Sequence, residues 1–190
     1  IKFQTVNKNL LDCLIQLDSV SFYASCVYGP SDWSSRCDLW ERLSRIGVNR
    51  KEGWCVFGDF NDILHNGEKV GGTWRADESF EPFNQMIKAG KLEALPSHGD
   101  GFTWGGRRGN LWIQSRLDRC FGNRAWSQKF PCSNQLFMAK TRSDHRPVLI
   151  KLIEPQESYR GCFRFDRRLL DLEGIKDSVT DAWQVEVGSR

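Results

Sequence analysis

The chain of 190 residues has no apolar run approaching the roughly 20 residues that a bilayer-spanning helix requires, and its N-terminus carries no basic-then-apolar leader pattern. The expectation is therefore an intracellular protein, nuclear or cytoplasmic, not secreted and with no membrane partner. Its seven cysteines, Cys13, Cys26, Cys37, Cys55, Cys120, Cys132 and Cys162, are odd in number, widely scattered, and include no CxxC pair. That spacing excludes a zinc ribbon or a dithiol redox motif and suits free thiols in a reducing compartment. Internal repeats and low-complexity tracts are also lacking, which excludes solenoid architectures. A net charge of +3 is too small to indicate nucleic-acid binding by itself.

What is present describes one folded unit with a tail. The 39% hydrophobic and 27% charged fractions are those of a globular domain with a real core. Charge is also unevenly placed. Arg107, Arg108, Arg116, Arg119, Arg124, Lys140, Arg142 and Arg146 crowd the stretch 107–146, where only Asp118 and Asp144 oppose them. Such a local excess suits a phosphate backbone; a solvated basic face is the alternative.

Strand and helix signals alternate along the chain. Val20, Phe22, Ala24, Cys26 and Tyr28 share one face of an alternating segment that ends at Gly29-Pro30. Leu39, Trp40, Leu43 and Ile46 recur at helical spacing before Gly47. Trp54–Phe57 is a short apolar run closed by the polar cluster Gly58-Asp59-Phe60-Asn61-Asp62. Asp77 is placed to cap a helix carrying Phe80, Phe83 and Ile87, with Gly90 as its stop. Leu92–Leu95 reads as a strand. The stretch 97–124 reads as strand, hairpin, strand, its ordered pieces being Phe102-Thr103-Trp104 and Ser115–Arg119. Ser143-Asp144-His145-Arg146 leads into a strand over 147–152. The domain is expected to span 1–153. Residues 154–161 have linker composition, and Leu169, Leu172, Ile175, Val179 and Trp183 then mark an amphipathic helix within 154–190. The class is α/β or α+β, with antiparallel pairs in the second half.

Polar clusters fall at the expected strand ends: Tyr28, Asp59 with Asn61, Asp118, and Asp144 with His145. In Gly-Asp-Phe-Asn, an inward Phe60 lets Asp59 and Asn61 project together. Phosphodiester hydrolysis needs a cation, a base for water, and donors aimed at developing charge; carboxylates, amides and an imidazole supply these. Asp144 and His145 are sequence neighbours and so cannot simply pair, which leaves Asp118 as the carboxylate available to fix the His145 tautomer.

Gly58-Asp59-Phe60-Asn61, Arg116-Leu117-Asp118-Arg119 and Ser143-Asp144-His145-Arg146-Pro147, in this order, resemble the C-terminal motifs of the endonuclease/exonuclease/phosphatase superfamily. Val27-Tyr28-Gly29, Glu68-Lys69-Val70-Gly71-Gly72, Phe102-Thr103-Trp104 and Phe163-Arg164-Phe165 are further similar to endonuclease domains of plant non-LTR retrotransposons. The resemblance spans about residues 20–185. It implies a four-layer α/β/β/α sandwich and metal-dependent nicking of DNA with Mg²⁺ or Mn²⁺, with no small-molecule cofactor and with a reverse transcriptase domain downstream in the parent polypeptide. By the same resemblance Asp59 orients or deprotonates water, and Asn61 holds that water or the phosphate. His145 hydrogen-bonds the scissile phosphate, Asp118 orients His145, and Tyr28 donates to the phosphate. Asp144, with Asp59 beside it, holds metal, while Thr103, Trp104, Arg107, Arg108, Arg116 and Arg142 touch the nucleic acid.

The chain departs from that pattern at its start. Only one core strand is expected before Tyr28, and no glutamate, the family's principal metal ligand, occurs there. Asn7 and Asn9 read as turn residues. The expectation is a fold lacking its first strands, with impaired catalysis, an open sheet edge and a tendency to self-associate. Glu68 is a substitute ligand or a surface partner of Lys69. Two further readings remain: a nuclease-derived module that binds nucleic acid without chemistry, and a phosphomonoesterase or phosphoinositide phosphatase of the same superfamily.

Overall fold

The computed structural model describes residues 1–152 together with Gly174, Ile175, Asp177 and Thr180. The chain divides into two compact units, Ile1–Pro155 and Gln156–Arg190. In the second, Ile175, Asp177 and Thr180 are helical; the linker over 154–161 and the rest of the expected amphipathic helix lie outside the described residues.

In chain order the strands of the first unit are β1 (Lys2–Val6), β2 (Leu10–Leu17), β3 (Val20–Tyr28), β4 (Trp54–Asp59), β5 (Lys69–Val70), β6 (Leu92–Ala94), β7 (Ser97–His98), β8 (Trp104–Arg108), β9 (Leu111–Ser115), β10 (Asp118–Asn123), β11 (Asn134–Phe137) and β12 (Val148–Lys151). Its helices are α1 (Trp33–Asn49), α2 (Glu81–Ala89) and α3 (Arg124–Lys129). A six-stranded sheet runs in the order β1-β2-β3-β4-β10-β6, and two three-stranded sheets have the orders β12-β11-β7 and β5-β9-β8. Three strands thus precede the loop after Tyr28 where the sequence suggests one. β1 lies at the sheet edge and buries no residue, so it has no apolar alternation to read. In β2 the alternation is broken by Asp12, which is buried because Arg50 and Ser25 bond its carboxylate.

Burial on each face of the large sheet explains the helices. Asp32 caps α1 by accepting from Ser35 N at 2.8 Å. The helix then lays Leu39, Trp40 and Leu43 against Val27, Val56 and Leu10. α2 adds Phe83 and Met86. Trp40 and Phe83 stack with ring centroids 4.7 Å apart, and Phe60 joins them at 5.3 Å from Phe83. Asp77 does not cap this helix: a 3-10 turn over Asp77–Phe80 precedes it, and neither start uses a side-chain cap. On the opposite face Phe22, Ala24, Cys55, Cys120, Trp126 and Phe130 form a second cluster, reached by Ile150 of β12. Of the four expected layers, the described residues supply helices on one face of the large sheet and a three-stranded sheet toward the other.

The hairpin of the 97–124 region is β8–β9 itself, paired from Trp104↔Ser115 to Arg108↔Leu111. Gly105, Gly106 and the two arginines look loop-like in sequence, yet they are a strand. A Cβ on Gly106 would stand 2.8 Å from the Trp104 ring, so the missing side chain makes room for the indole.

Glu68 is neither a surface partner of Lys69 nor a metal ligand. Its two carboxylate oxygens accept from Nη1 and Nη2 of Arg119, each at 2.9 Å, and one also accepts from Leu64 N at 2.7 Å. Arg119 is 2% exposed and also donates to the Arg116 carbonyl, so it does not contact a phosphate backbone. Glu68→Ala should lower unfolding free energy by about 3–5 kcal/mol in urea titration, because a guanidinium is left buried and unpaired. The Glu68→Leu/Arg119→Met double replacement should recover most of that loss. A single-variant cost below about 1 kcal/mol would show that this pair does not brace the fold.

Candidate active site

Three neighbouring strands end level with one another. Tyr28 of β3 pairs with Asp59 of β4 in parallel register, and Asp59 pairs with Asp118 of β10 in antiparallel register. Registered neighbours present their side chains to the same face, so these three project side by side. Two glycines permit the close approach. A Cβ on Gly58, whose φ is +133°, would fall 2.1 Å from the Val27 carbonyl oxygen, and one on Gly29 would fall 2.1 Å from that of Phe60. Gly29 N donates to Asp59 O at 2.7 Å, and Phe60 N to Leu117 O at 2.9 Å, which stitches the strand ends together.

Beyond Asp59 the chain turns sharply. Phe60 is fully buried and anchors the turn in the helix-side core. Asn61 follows with φ of +51°, a left-handed conformation that asparagine tolerates better than most residues. Its backbone N donates to Asp59 Oδ1 at 2.8 Å, and its Nδ2 donates to Gly29 O at 3.0 Å. The amide nitrogen of Asn61 is thereby committed to the loop, leaving Oδ1 to face the site.

His145 arrives from the loop before β12. Its Nδ1 lies 2.9 Å from Asp118 Oδ2, and its backbone bridges to Trp104. Gly105 N donates to Asp144 O at 3.0 Å, and Arg146 N to Thr103 O at 2.7 Å, so this loop runs as an extra rung along the start of β8. Thr103, which the sequence suggests as a nucleic-acid contact, is 0% exposed. Its Oγ1 accepts from the backbone N of Leu117 at 3.0 Å and of Asp118 at 2.9 Å, which positions Asp118. Asp144 lines the cleft, but Trp104 Nε1 donates to its Oδ2 at 2.9 Å. Among the described residues, the group whose ligand atoms lie within 4.8 Å of one another is Asp59, Asp118 and His145, without Asp144.

The site's electrostatics follow from these contacts. Burial pushes the Asp59 carboxyl above its ordinary value; the Asn61 N–H opposes that, and the neighbouring Asp118 charge adds to it. The Trp104 indole N–H holds the Asp144 carboxyl below the ordinary range. Asn61 occupies one Asp59 oxygen and His145 one Asp118 oxygen, so each carboxylate keeps a second oxygen free. Two such oxygens on adjacent strand ends suit a magnesium-sized cation, which takes one or two carboxylates plus water. No acid on β1 or β2 joins them, since Asp12 is held by Arg50 at 2.9 Å and by Ser25 at 2.6 Å.

Tyr28, Asp59, Asn61, Asp118, Asp144 and His145 line a cleft of about 910 Å³, walled by Trp104, Arg108 and Lys69. The Arg108 guanidinium stands 5.9 Å over the Trp104 ring, and Arg107 and Arg142 are exposed. Arg116 is drawn inward instead: its guanidinium lies 5.4 Å over the Phe137 ring and its Nε is buried without a partner. Arg36 also lines the cleft and has no sequence signal. It is buried against Asp62 at 3.3 Å, and its Nη1 donates to the carbonyls of Pro30 and Ser31, fixing the loop after Tyr28.

A stability test follows from Asp59. Its folded carboxyl titrates above the ordinary 3.8, so the folded state retains a proton that the unfolded chain has lost. The stability it contributes is present below the ordinary value and falls as pH rises through the raised one. Asp59→Asn is therefore expected to be no less stable than the parent at pH 7 by calorimetry, with the difference shrinking toward pH 3. Millimolar Mg²⁺ or Mn²⁺ should raise the Tm of the parent and not of the variant. An equal metal-induced shift in both would remove Asp59 from the metal site.

The pattern of the Endonuclease/Exonuclease/phosphatase family matches residues 10–145. No curated protein sequence matches the chain. Among solved structures the chain is similar to the endonuclease domain of TRAS1, a telomere-specific non-LTR retrotransposon, with a TM-score of 0.56 at 18% identity over 78% of this chain and 65% of that one. It is also similar to beta toxin from Staphylococcus aureus, with a TM-score of 0.50 at 16% identity over 76% of this chain and 57% of that one. The chain spans less than two thirds of the length of either protein, and at these identities the likeness is one of fold. Members of this family hydrolyse phosphodiester bonds with the help of a divalent metal. With its sheet topology, its strand-end carboxylates and this match over most of its length, the chain belongs to the endonuclease/exonuclease/phosphatase family.

Proposed function

We propose that the chain is the endonuclease domain of a non-LTR retrotransposon of plant type, which nicks DNA by metal-dependent hydrolysis of a phosphodiester bond. The observation that carries this reading is the registered Asp59–Asp118 pair, with His145 on Asp118, in a cleft walled by Trp104, Arg108 and Lys69.

Each residue has a distinct task. The desolvated Asp59, a better proton acceptor than an exposed aspartate, orients and deprotonates the attacking water. Asn61 holds that water through Oδ1, the oxygen its loop contacts leave open. Asp118 fixes the ring of His145 through Nδ1, which turns Nε2 toward a phosphate oxygen. Tyr28, 61% exposed beside Asp59, donates its hydroxyl to another phosphate oxygen. A divalent cation held by Asp59 and Asp118 would neutralise charge on the phosphate as it builds. Trp104 and Arg108, with Arg107 and Arg142 beyond them, line the path of the strand. On this reading a reverse transcriptase follows in the parent polypeptide, and the site of action is the nucleus.

Supercoiled plasmid incubated with the protein and Mg²⁺ or Mn²⁺ should be converted to the nicked form. Asp59→Ala and His145→Ala should each lower that rate by about 10²–10⁴-fold without changing the melting temperature appreciably. Plasmid binding with no nicking under any divalent metal would make the chain a binding module. Faster hydrolysis of a soluble phosphate monoester than of plasmid would place it with the phosphatases.

A further inference from the structure

A second concave site lies at the other end of the same strands. It has a volume of about 560 Å³, and three separate segments line it: the end of α1 with the loop before β4, the end of α2 with Lys91, and the β10–α3 junction. β4 runs from Trp54 beside this groove to Asp59 in the catalytic cleft, so the two ends stand about 17 Å apart, from five steps at about 3.3 Å each.

Its cations fall into two kinds. Arg50 is spoken for: it pairs with Asp12 at 2.9 Å and lies 3.6 Å over the Tyr23 ring. Lys51, Lys91 and Arg124 are exposed, and their side chains make no hydrogen bond or ion pair among the described residues. Among the described residues no carboxylate lines the groove, and the Gln128 amide adds a neutral donor. Lys91 and Lys51 follow the C-termini of α2 and α1, where a cation is favoured locally. Arg124 is different. It is the first residue of α3, where the helix dipole opposes positive charge, so its placement gains nothing from the fold alone. Nor does Lys91 sit passively: its φ of +48° is a strained conformation for a lysine, and it turns the chain from α2 into β6 at the groove wall.

We propose that this groove is a phosphate-recognising site, separate from the catalytic cleft, that takes the backbone of a nucleic-acid strand through Lys51, Lys91 and Arg124. The proposal deepens the nuclease reading by adding a second point of attachment. The groove opens at the end of β4 opposite the catalytic cleft, so it takes a segment of strand other than the one at the cleft. Its recognition is mainly electrostatic, because its free charged groups, Lys51, Lys91 and Arg124, are phosphate-seeking cations.

The test compares the full chain with Lys51→Glu/Lys91→Glu/Arg124→Glu and with the neutral Lys51→Gln/Lys91→Gln/Arg124→Gln, each confirmed by its melting curve to be folded. Binding of a fluorescent 30-nucleotide single strand is followed by anisotropy across a salt series. The charge-reversed chain should bind at least about tenfold more weakly at low salt and show a slope against log salt shallower by about two to three. The neutral chain should lie between it and the parent. Unchanged affinity and slope in the charge-reversed chain would overturn the proposal. So would millimolar inorganic phosphate raising the parent's Tm while failing to displace the oligonucleotide, since the groove would then serve a free anion. The readout is binding alone, so absence of plasmid nicking by the parent would refute the nuclease reading and leave this result standing.

Discussion

Where β4 ends, backbone meets backbone with no side chain between. Gly58 sits against the Val27 carbonyl and Gly29 against the Phe60 carbonyl, each at a distance a methyl group could not share. The left-handed φ of Gly58 adds a second reason why only glycine serves there. This contact sets the parallel register of β3 and β4, and through the β4–β10 pairing it sets the position of Asp118. A shift of one residue in either pairing would send alternate side chains to the opposite face, so Tyr28, Asp59 and Asp118 form a row only in this register. The site is a property of the sheet before it is a property of its residues.

Charge burial separates structural from functional groups. Arg119 with Glu68, Arg50 with Asp12, and Asp62 between Arg36 and Arg75 are largely buried ion pairs, with only the Arg119 Nε left without a hydrogen-bond partner among them. Removing one member of such a pair strands the other, which is why these groups hold loops in place. Arg36 braces the segment after Tyr28, and Glu68 with Arg119 ties the segment after β4 to β10. Asp59 stands apart. It is substantially desolvated, it faces another carboxylate, and among the described residues no Lys or Arg side chain pairs with it. Folding pushes its carboxyl upward by burial, which the Asn61 N–H and the nearby His145 offset only in part, and such a desolvated titratable group in a cleft is a candidate place for chemistry or a ligand.

The sequence was informative where the determinant is local. Gly58-Asp59-Phe60-Asn61 can be read because an apolar residue between two polar ones at a strand end allows only one sensible orientation, and the structure buries Phe60 accordingly. Asp118 is found 2.9 Å from His145 for a reason also visible in sequence, since Asp144 is too near in the chain to pair with the imidazole. What could not be read depends on distant partners. Arg119 looks like one of many surface arginines until Glu68, 51 residues earlier, is known to pair with it. Thr103 reads as a polar contact residue because nothing local reveals that the amides of Leu117 and Asp118 converge on its hydroxyl. β1 and β2 escaped because one has no buried face and the other carries a buried aspartate.

Trp104 joins the cleft wall to the catalytic loop. Its backbone pairs with His145, its indole N–H fixes Asp144, and its ring lies under Arg108. It is also the first residue of β8, and β8 and β9 run antiparallel from Trp104↔Ser115 outward. A group bound against the hairpin therefore acts on the same residue that aligns the imidazole. On the proposed nuclease reading, energy gained along the wall would be available to hold His145 in register with Asp118 and would count in the transition state as well as in binding. A wall and a loop joined by flexible chain would contribute to affinity alone; here one tryptophan joins the two.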